Sequence, residues 1–147
     1  MRYRILCVGR RARDPLVEAA EEYQKRLSRY VKLDLVRIRD TDAKTERDEL
    51  LERIKPEEHL VVLDERGIHL DTKGLANIVR MWQNSGIDSI AFLVGGADGI
   101  HPDIKSRARE TIALSALTLP HRLALVVLLE QLYRAHTILR GEPYHRS

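Results

Sequence analysis

Three short stretches of this sequence hold residue types that could do chemistry. One is Tyr144-His145-Arg146, just before the terminal Ser147. Tyrosine stacks on a planar base or donates a hydrogen bond. Histidine takes up a proton near neutral pH, and arginine grips a phosphate or a carbonyl with a planar fork. The trio follows Gly141-Glu142-Pro143, a break that could aim it back at the body of the chain, although an untied terminus is usually inert. A second stretch, Gly95-Gly96-Ala97-Asp98-Gly99, follows an apolar run. Glycines there let the backbone take positive φ and approach a ligand closely, but a Gly-Gly pair is also ordinary turn punctuation. The spacing is neither the dinucleotide G-x-G-x-x-G nor a P-loop. The third is Ser115-Ala116-Leu117-Thr118-Leu119-Pro120-His121. It could hold an apolar, aromatic ligand through backbone groups, or be a connection packed into the core.

Other chemistries find no support. The histidines, His59, His69, His101, His121, His136 and His145, are scattered without metal-ligand spacing, so no metal is expected. No Gly-x-Ser-x-Gly elbow occurs, and the lone Cys7 lies in an apolar run, unlike a nucleophile. Glu130 stands among apolar residues, where it could face solvent or hold Arg134 at i+4.

These stretches must be positioned by alternating strands and helices. Residues 2–8 read as a strand ended by Gly9. Asp14-Pro15 reads as an N-cap and first helical position, opening a helix over 16–30 with Leu16, Ala19, Ala20, Tyr23 and Leu27 on one face. Residues 33–38 suggest a second strand whose alternation slips at Val36. Thr41-Asp42 caps a charged helix to about Ile54 with Leu50, Leu51 and Ile54 inward, and Pro56 ends it. Residues 59–63 are a short buried-type strand. A helix from Asp71 or Thr72 runs to about Asn84, stopped by Gly86. Residues 89–94 are the clearest buried strand. A short helix follows Pro102, then a strand over 111–116 and a last long helix from about Arg122 to Leu139. Such alternation predicts an α/β fold: a parallel or mostly parallel sheet with helices on both faces. In such sheets ligands bind beyond the carboxyl ends of the strands.

A chain of 147 residues is expected to form one domain with its own core. No apolar run is long enough to span a membrane, and the N-terminus lacks a signal-peptide pattern. The single cysteine suggests a reducing compartment, hence the cytoplasm. The net charge of +3 suits a polyanionic partner without demanding one. Arg10, Arg11 and Arg13 cluster after the first strand, and Arg134, Arg140 and Arg146 mark the C-terminal end. Each cluster reads equally as solvated surface or as phosphate-binding patch.

Four motifs in one order then carry a resemblance: Phe92-Leu93-Val94-Gly95-Gly96-Ala97-Asp98-Gly99, Leu114-Ser115-Ala116-Leu117-Thr118-Leu119-Pro120-His121, Glu130-Gln131-Leu132-Tyr133-Arg134-Ala135 and Pro143-Tyr144-His145-Arg146. Together they resemble the bacterial ribosomal large subunit methyltransferase H family of the SPOUT superfamily. The resemblance spans the chain and is sharpest from about residue 90 onward. Ala97-Asp98 departs from the family's pattern, which puts only the part of the Asp98 side chain in doubt.

The resemblance implies a trefoil-knotted α/β domain over residues 1–147, working as a homodimer without metal or membrane. It implies methyl transfer from S-adenosylmethionine to N3 of a pseudouridine in 23S rRNA, within the 70S ribosome. Carried residue by residue, Leu63, Gly95, Gly96, Gly99, Ser115, Ala116, Leu117, Thr118, Leu119 and Pro120 would hold the cofactor. Tyr144, His145 and Arg146 would form the catalytic tail. Tyr144 would position the base, and His145 would accept or relay the N3 proton. Arg146 would stabilise charge on a base carbonyl or grip phosphate. A tRNA base as substrate and a non-catalytic ribosome-binding factor are the alternatives.

Overall fold

The computed structural model describes residues 1–9, 13–95 and 99–146. Five strands form one sheet: β1 (Arg2–Val8), β2 (Lys32–Ile38), β3 (His59–His69), β4 (Ser89–Val94) and β5 (Glu110–Ala113). Their order is β2-β1-β4-β3-β5, and each paired neighbour runs parallel. The helices are α1 (Pro15–Leu27), α2 (Ala43–Arg53), α3 (Thr72–Asn84), α4 (Pro102–Lys105) and α5 (His121–Leu139).

The central strands are apolar throughout because both faces of the sheet are covered. Successive β4 side chains alternate between two cores. Ile90, Phe92 and Val94 join the cluster beneath α1, α3 and α5, while Ala91 and Leu93 join Leu50, Ile54 and Ile104 beneath α2 and α4. Tyr3 and Phe92 meet edge-to-face at 5.1 Å in the larger core. The parallel sheet with helices on both faces is the architecture expected from the alternation.

The caps suggested at Asp14 and Asp42 are made, and Asp71, one of the two helix starts considered, is also a cap. Asp14 accepts from the Leu16 N–H at 2.7 Å, Asp42 from Thr45 at 2.8 Å and Asp71 from Gly74 at 2.7 Å. Helix α1 ends at Leu27, short of Tyr30, and turns its buried stripe by one residue: Val17, Ala20 and Leu27 are buried. Leu51 is half-buried, whereas Leu50 and Ile54 are buried as expected.

Two departures matter for the site. Strand β3 does not end at Leu63. Leu63 and Ile68 both face Ile112 of β5, so residues 64–67 loop out of the ladder before pairing resumes. Gly67 permits this return, since a Cβ there would lie 2.4 Å from the Thr111 carbonyl oxygen. Strand β5 ends at Ala113 rather than Ala116. The chain leaves the sheet because the Ser115 hydroxyl accepts the Leu117 N–H at 2.9 Å, a side-chain turn that competes with strand pairing.

Candidate functional site

The sheet register aligns the strand ends. Cys7 pairs with Val94 and Val94 with Leu63, so the ladders of β1 with β4 and of β4 with β3 finish at one level. Beyond that edge lies a cleft of about 710 Å³, a size proper to small-molecule sites. One lip is the β3 bulge, with Asp64, Glu65 and Arg66. The other is the segment between β5 and α5. The floor is Leu63, Val94 and Gly95.

Of the residues expected to hold a cofactor, Leu63, Gly95, Gly99, Ser115, Leu117, Thr118, Leu119 and Pro120 line this cleft. Ala116 belongs to the same segment but is not among the lining residues. Gly96 lies outside the described residues, as do Ala97, Asp98, Arg10 and Arg11. Gly95 is packed under Ile100, where an added Cβ would come within 2.7 Å of that side chain. Gly99 has φ +77°, the left-handed region that favours glycine.

Sequence reasoning missed the polar rim. Lys105 pairs with Asp64 at 2.7 Å. Burial pushes the Asp64 carboxyl up, but the Lys105 hydrogen bond and the Arg66 N–H outweigh it and hold the group below its usual range. The Thr118 hydroxyl donates to Glu65 at 2.8 Å and ties lip to lip. Leu117 stands 75 % exposed on its lip. His121 and Ala124 extend the wall from the first turn of α5. The available signal was position: 64–66 directly follow an apolar strand, and His121 begins a helix after an irregular loop.

The tail lies elsewhere. Helix α5 begins at the cleft and carries the tail at its far end. After Gly141, with φ +67°, the chain doubles back along α5. The Tyr144 hydroxyl donates to Glu130 at 2.8 Å, and its ring meets Tyr133 edge-to-face at 4.6 Å. The Arg134 guanidinium lies 4.6 Å from the Tyr144 ring centre. It also grips Glu130, with Nη2 at 2.7 Å from Oε2, the i+4 partnership the sequence suggested. Arg134 Nη1 stands 3.2 Å from His145 Nδ1. Arg146 is exposed.

Burial pushes the Glu130 carboxyl up, but hydrogen bonds from Arg134 and Tyr144 prevail and hold it low. Burial and the bond to Glu130 push the Tyr144 phenol up, so it stays a donor. From Ala124 in the cleft wall to Glu130 and Arg134 the axis of α5 covers about 9 and 15 Å at 1.5 Å per residue. The structure thus brings eight of the ten residues expected to hold a cofactor to one cleft, and Tyr144, His145 and Arg146 are not among the residues lining it.

Among the described residues no group of His, Cys, Asp and Glu could hold a metal ion, and no helix is long and apolar enough to cross a membrane.

Comparisons with known proteins bear on this arrangement. A family model described as "Predicted SPOUT methyltransferase" matches residues 1–145. A protein of Anaeromyxobacter sp. (strain K) named ribosomal RNA large subunit methyltransferase H is 47 % identical, with 99 % of this chain and 100 % of that one covered. A protein of the same name from Nitrosomonas eutropha is 43 % identical over the full length of both chains. The crystal structure of a probable methyltransferase from Bordetella pertussis Tohama I superposes with a TM-score of 0.58. It is 14 % identical and covers 90 % of this chain and 95 % of its own. A probable methylase family protein from Haemophilus influenzae gives the same TM-score at 12 % identity, covering 99 % of this chain and 70 % of that one. These two likenesses concern the fold.

Proposed function

The chain belongs to the SPOUT methyltransferase family, and we propose that it methylates N3 of a pseudouridine in 23S rRNA of the assembled 70S ribosome, using S-adenosylmethionine. Relatives named as ribosomal RNA large subunit methyltransferases support the substrate class. The observation that carries the mechanism is the separation of cleft from tail. A tail that docks on Glu130 and Arg134, about 9–15 Å along α5 from Ala124 of its own cleft, is placed to serve a neighbour's cleft. The enzyme therefore works as a homodimer in which each tail completes the partner's site.

The cleft suits the cofactor. Its volume falls in the small-molecule range. Leu63, Val94, Leu114 and Leu119 give it apolar walls for an adenine. S-adenosylmethionine supplies an electrophilic methyl group when bound. The segment holding Leu117, Thr118 and Leu119 lies outside helix and strand; the Leu117 N–H is held by Ser115, and the segment's other backbone groups would meet a purine edge. Gly96 would border the ribose and methionine part. The acceptor N3 bears a proton and is a poor nucleophile until that proton leaves, so the protein must align N3 with the methyl group and stabilise the deprotonated base. Arg146, exposed on the tail, would stand at a base carbonyl. The same reading takes residues 1–147 as one trefoil-threaded domain acting in the cytoplasm.

Subunit mixing tests it. Chains carrying Arg146→Ala and chains carrying Gly95→Val should each be inactive on ribosomes lacking the modification. Mixed and reassembled, they should recover up to about a quarter of wild-type methyl transfer, because a two-fold dimer of the two types holds one intact site. No recovery in proven mixed dimers, or full activity in a monomeric variant, would overturn the composite site.

A further inference from the structure

The proton chemistry of the tail can be read from its hydrogen bonds, taking the proposed methyl transfer as its premise. A relay runs from α3 to the C-terminus. The Thr72 hydroxyl donates to Gln131 Oε1 at 2.8 Å, which leaves the Gln131 amide to donate to Glu130 Oε1 at 2.7 Å. Glu130 Oε2 accepts from Arg134 Nη2 at 2.7 Å and from the Tyr144 hydroxyl at 2.8 Å. The carboxylate is thus filled by donors, and its position fixes the guanidinium plane, which also packs on the Tyr144 ring. The remaining guanidinium nitrogen, Nη1, meets His145 Nδ1 at 3.2 Å.

Arginine has donors and no acceptor, and it does not deprotonate in proteins. Nδ1 must therefore be the acceptor in this contact. A neutral imidazole that accepts at Nδ1 carries its proton on Nε2. We infer that Arg134 is a positioning residue that fixes His145 as the Nε2–H tautomer, so that His145 serves the reaction as a hydrogen-bond donor to the base and not as its proton acceptor. Accepting a proton on Nδ1 would set two donors against each other, and Nε2 has no lone pair to offer. The N3 proton leaves instead to solvent water, and its electron pair stays on N3 as the nucleophile. The His145 Nε2–H then donates to the carbonyl oxygen on which the resulting charge is shared. The proton-acceptor part first expected of His145 passes to solvent.

Two measurements test this, one without turnover. Long-range ¹H–¹⁵N correlation spectra of histidine-labelled protein should show His145 with a bare, pyridine-type Nδ1 and a protonated, pyrrole-type Nε2. Arg134→Met should allow the other tautomer to appear. A protonated Nδ1 in the wild type would overturn the inference. In single-turnover methyl transfer, His145→Gln keeps an N–H near the Nε2 position but cannot take up a proton. It should fall no more than about tenfold, whereas His145→Ala should lose about a hundredfold or more, within the range typical of removing one donor to developing charge. Equal loss in the two variants would overturn the donor assignment. Failure of the wild type to methylate any RNA would refute the proposed function, whereas the tautomer spectra would still decide what Arg134 does to His145.

Discussion

Burying a histidine makes folding depend on pH in a direction that can be worked out. His136 on α5 is 4 % exposed, bonded to the Tyr3 hydroxyl at 2.7 Å and stacked on Tyr30 at 5.7 Å. Burial first, and the nearby Arg140 second, push its pKa from 6.5 down to about 4. Above pH 6.5 neither the folded nor the unfolded chain binds a proton there, and the full stability is present. Below 6.5 the unfolded chain takes up a proton that the folded chain refuses until about pH 4. Stability is therefore lost as pH falls through that window. At about 1.4 kcal/mol per pH unit, the loss from this residue is about 2 kcal/mol between pH 6.5 and 5, rising to about 3 kcal/mol near pH 4. Urea unfolding at fixed protein concentration, from pH 8 to pH 5, would measure it. His136→Phe should be less stable than wild type at pH 8, and the gap should shrink by about 2 kcal/mol at pH 5. A gap constant with pH would refute the reasoning.

Other perturbations address the site. Gly67→Ala places a Cβ 2.4 Å from the Thr111 carbonyl oxygen, so the bulge or β5 must shift. It should cost about 1–3 kcal/mol in thermal unfolding and weaken cofactor binding measured by calorimetry. Glu130→Gln removes the charge that holds Arg134 and Tyr144. Charge-assisted bonds of this kind contribute about 1.5–3 kcal/mol, so methyl transfer should fall roughly tenfold to a hundredfold while calorimetric cofactor affinity stays near wild type. Thr118→Val breaks the bond between the lips. That bond is exposed, so cofactor Kd should rise only a few-fold, with an expected effect of about 1 kcal/mol or less.

Legibility in the sequence followed how local each cause was. Strand β4 was read with its bounds because an apolar run covered on both faces, followed by glycine, has few other interpretations. The caps at Asp14 and Asp42 were legible because each acts within three residues. The far half of β3 was not, because Asp64-Glu65-Arg66-Gly67 has turn composition and its return to the sheet depends on Thr111, far along the chain. Strand order depends on crossovers and left no local trace. The ion pair of Arg4 with the buried Glu58 was also hidden, since a charged stretch such as 55–58 reads as surface until its partner is known.

At the site, residue types alone left three stretches open between ligand loop and plain connection. The family resemblance chose among them, and the cleft brings together eight of the ten cofactor residues it implied. The tail's attachment was half legible. The i+4 spacing of Glu130 and Arg134 suggested their bond, and the Gly141-Glu142-Pro143 break suggested a turn back towards the body, but the order of residues did not foretell that Tyr144 and His145 would land on that pair.

The central claim is tested most directly by transfer of labelled methyl from S-adenosylmethionine to 70S ribosomes purified from a strain lacking the modification, with Arg146→Ala alongside and the labelled base mapped. The account predicts label at N3 of a pseudouridine in 23S rRNA and its loss in the variant. Cofactor binding with no label in 23S rRNA, or label confined to tRNA, would contradict it.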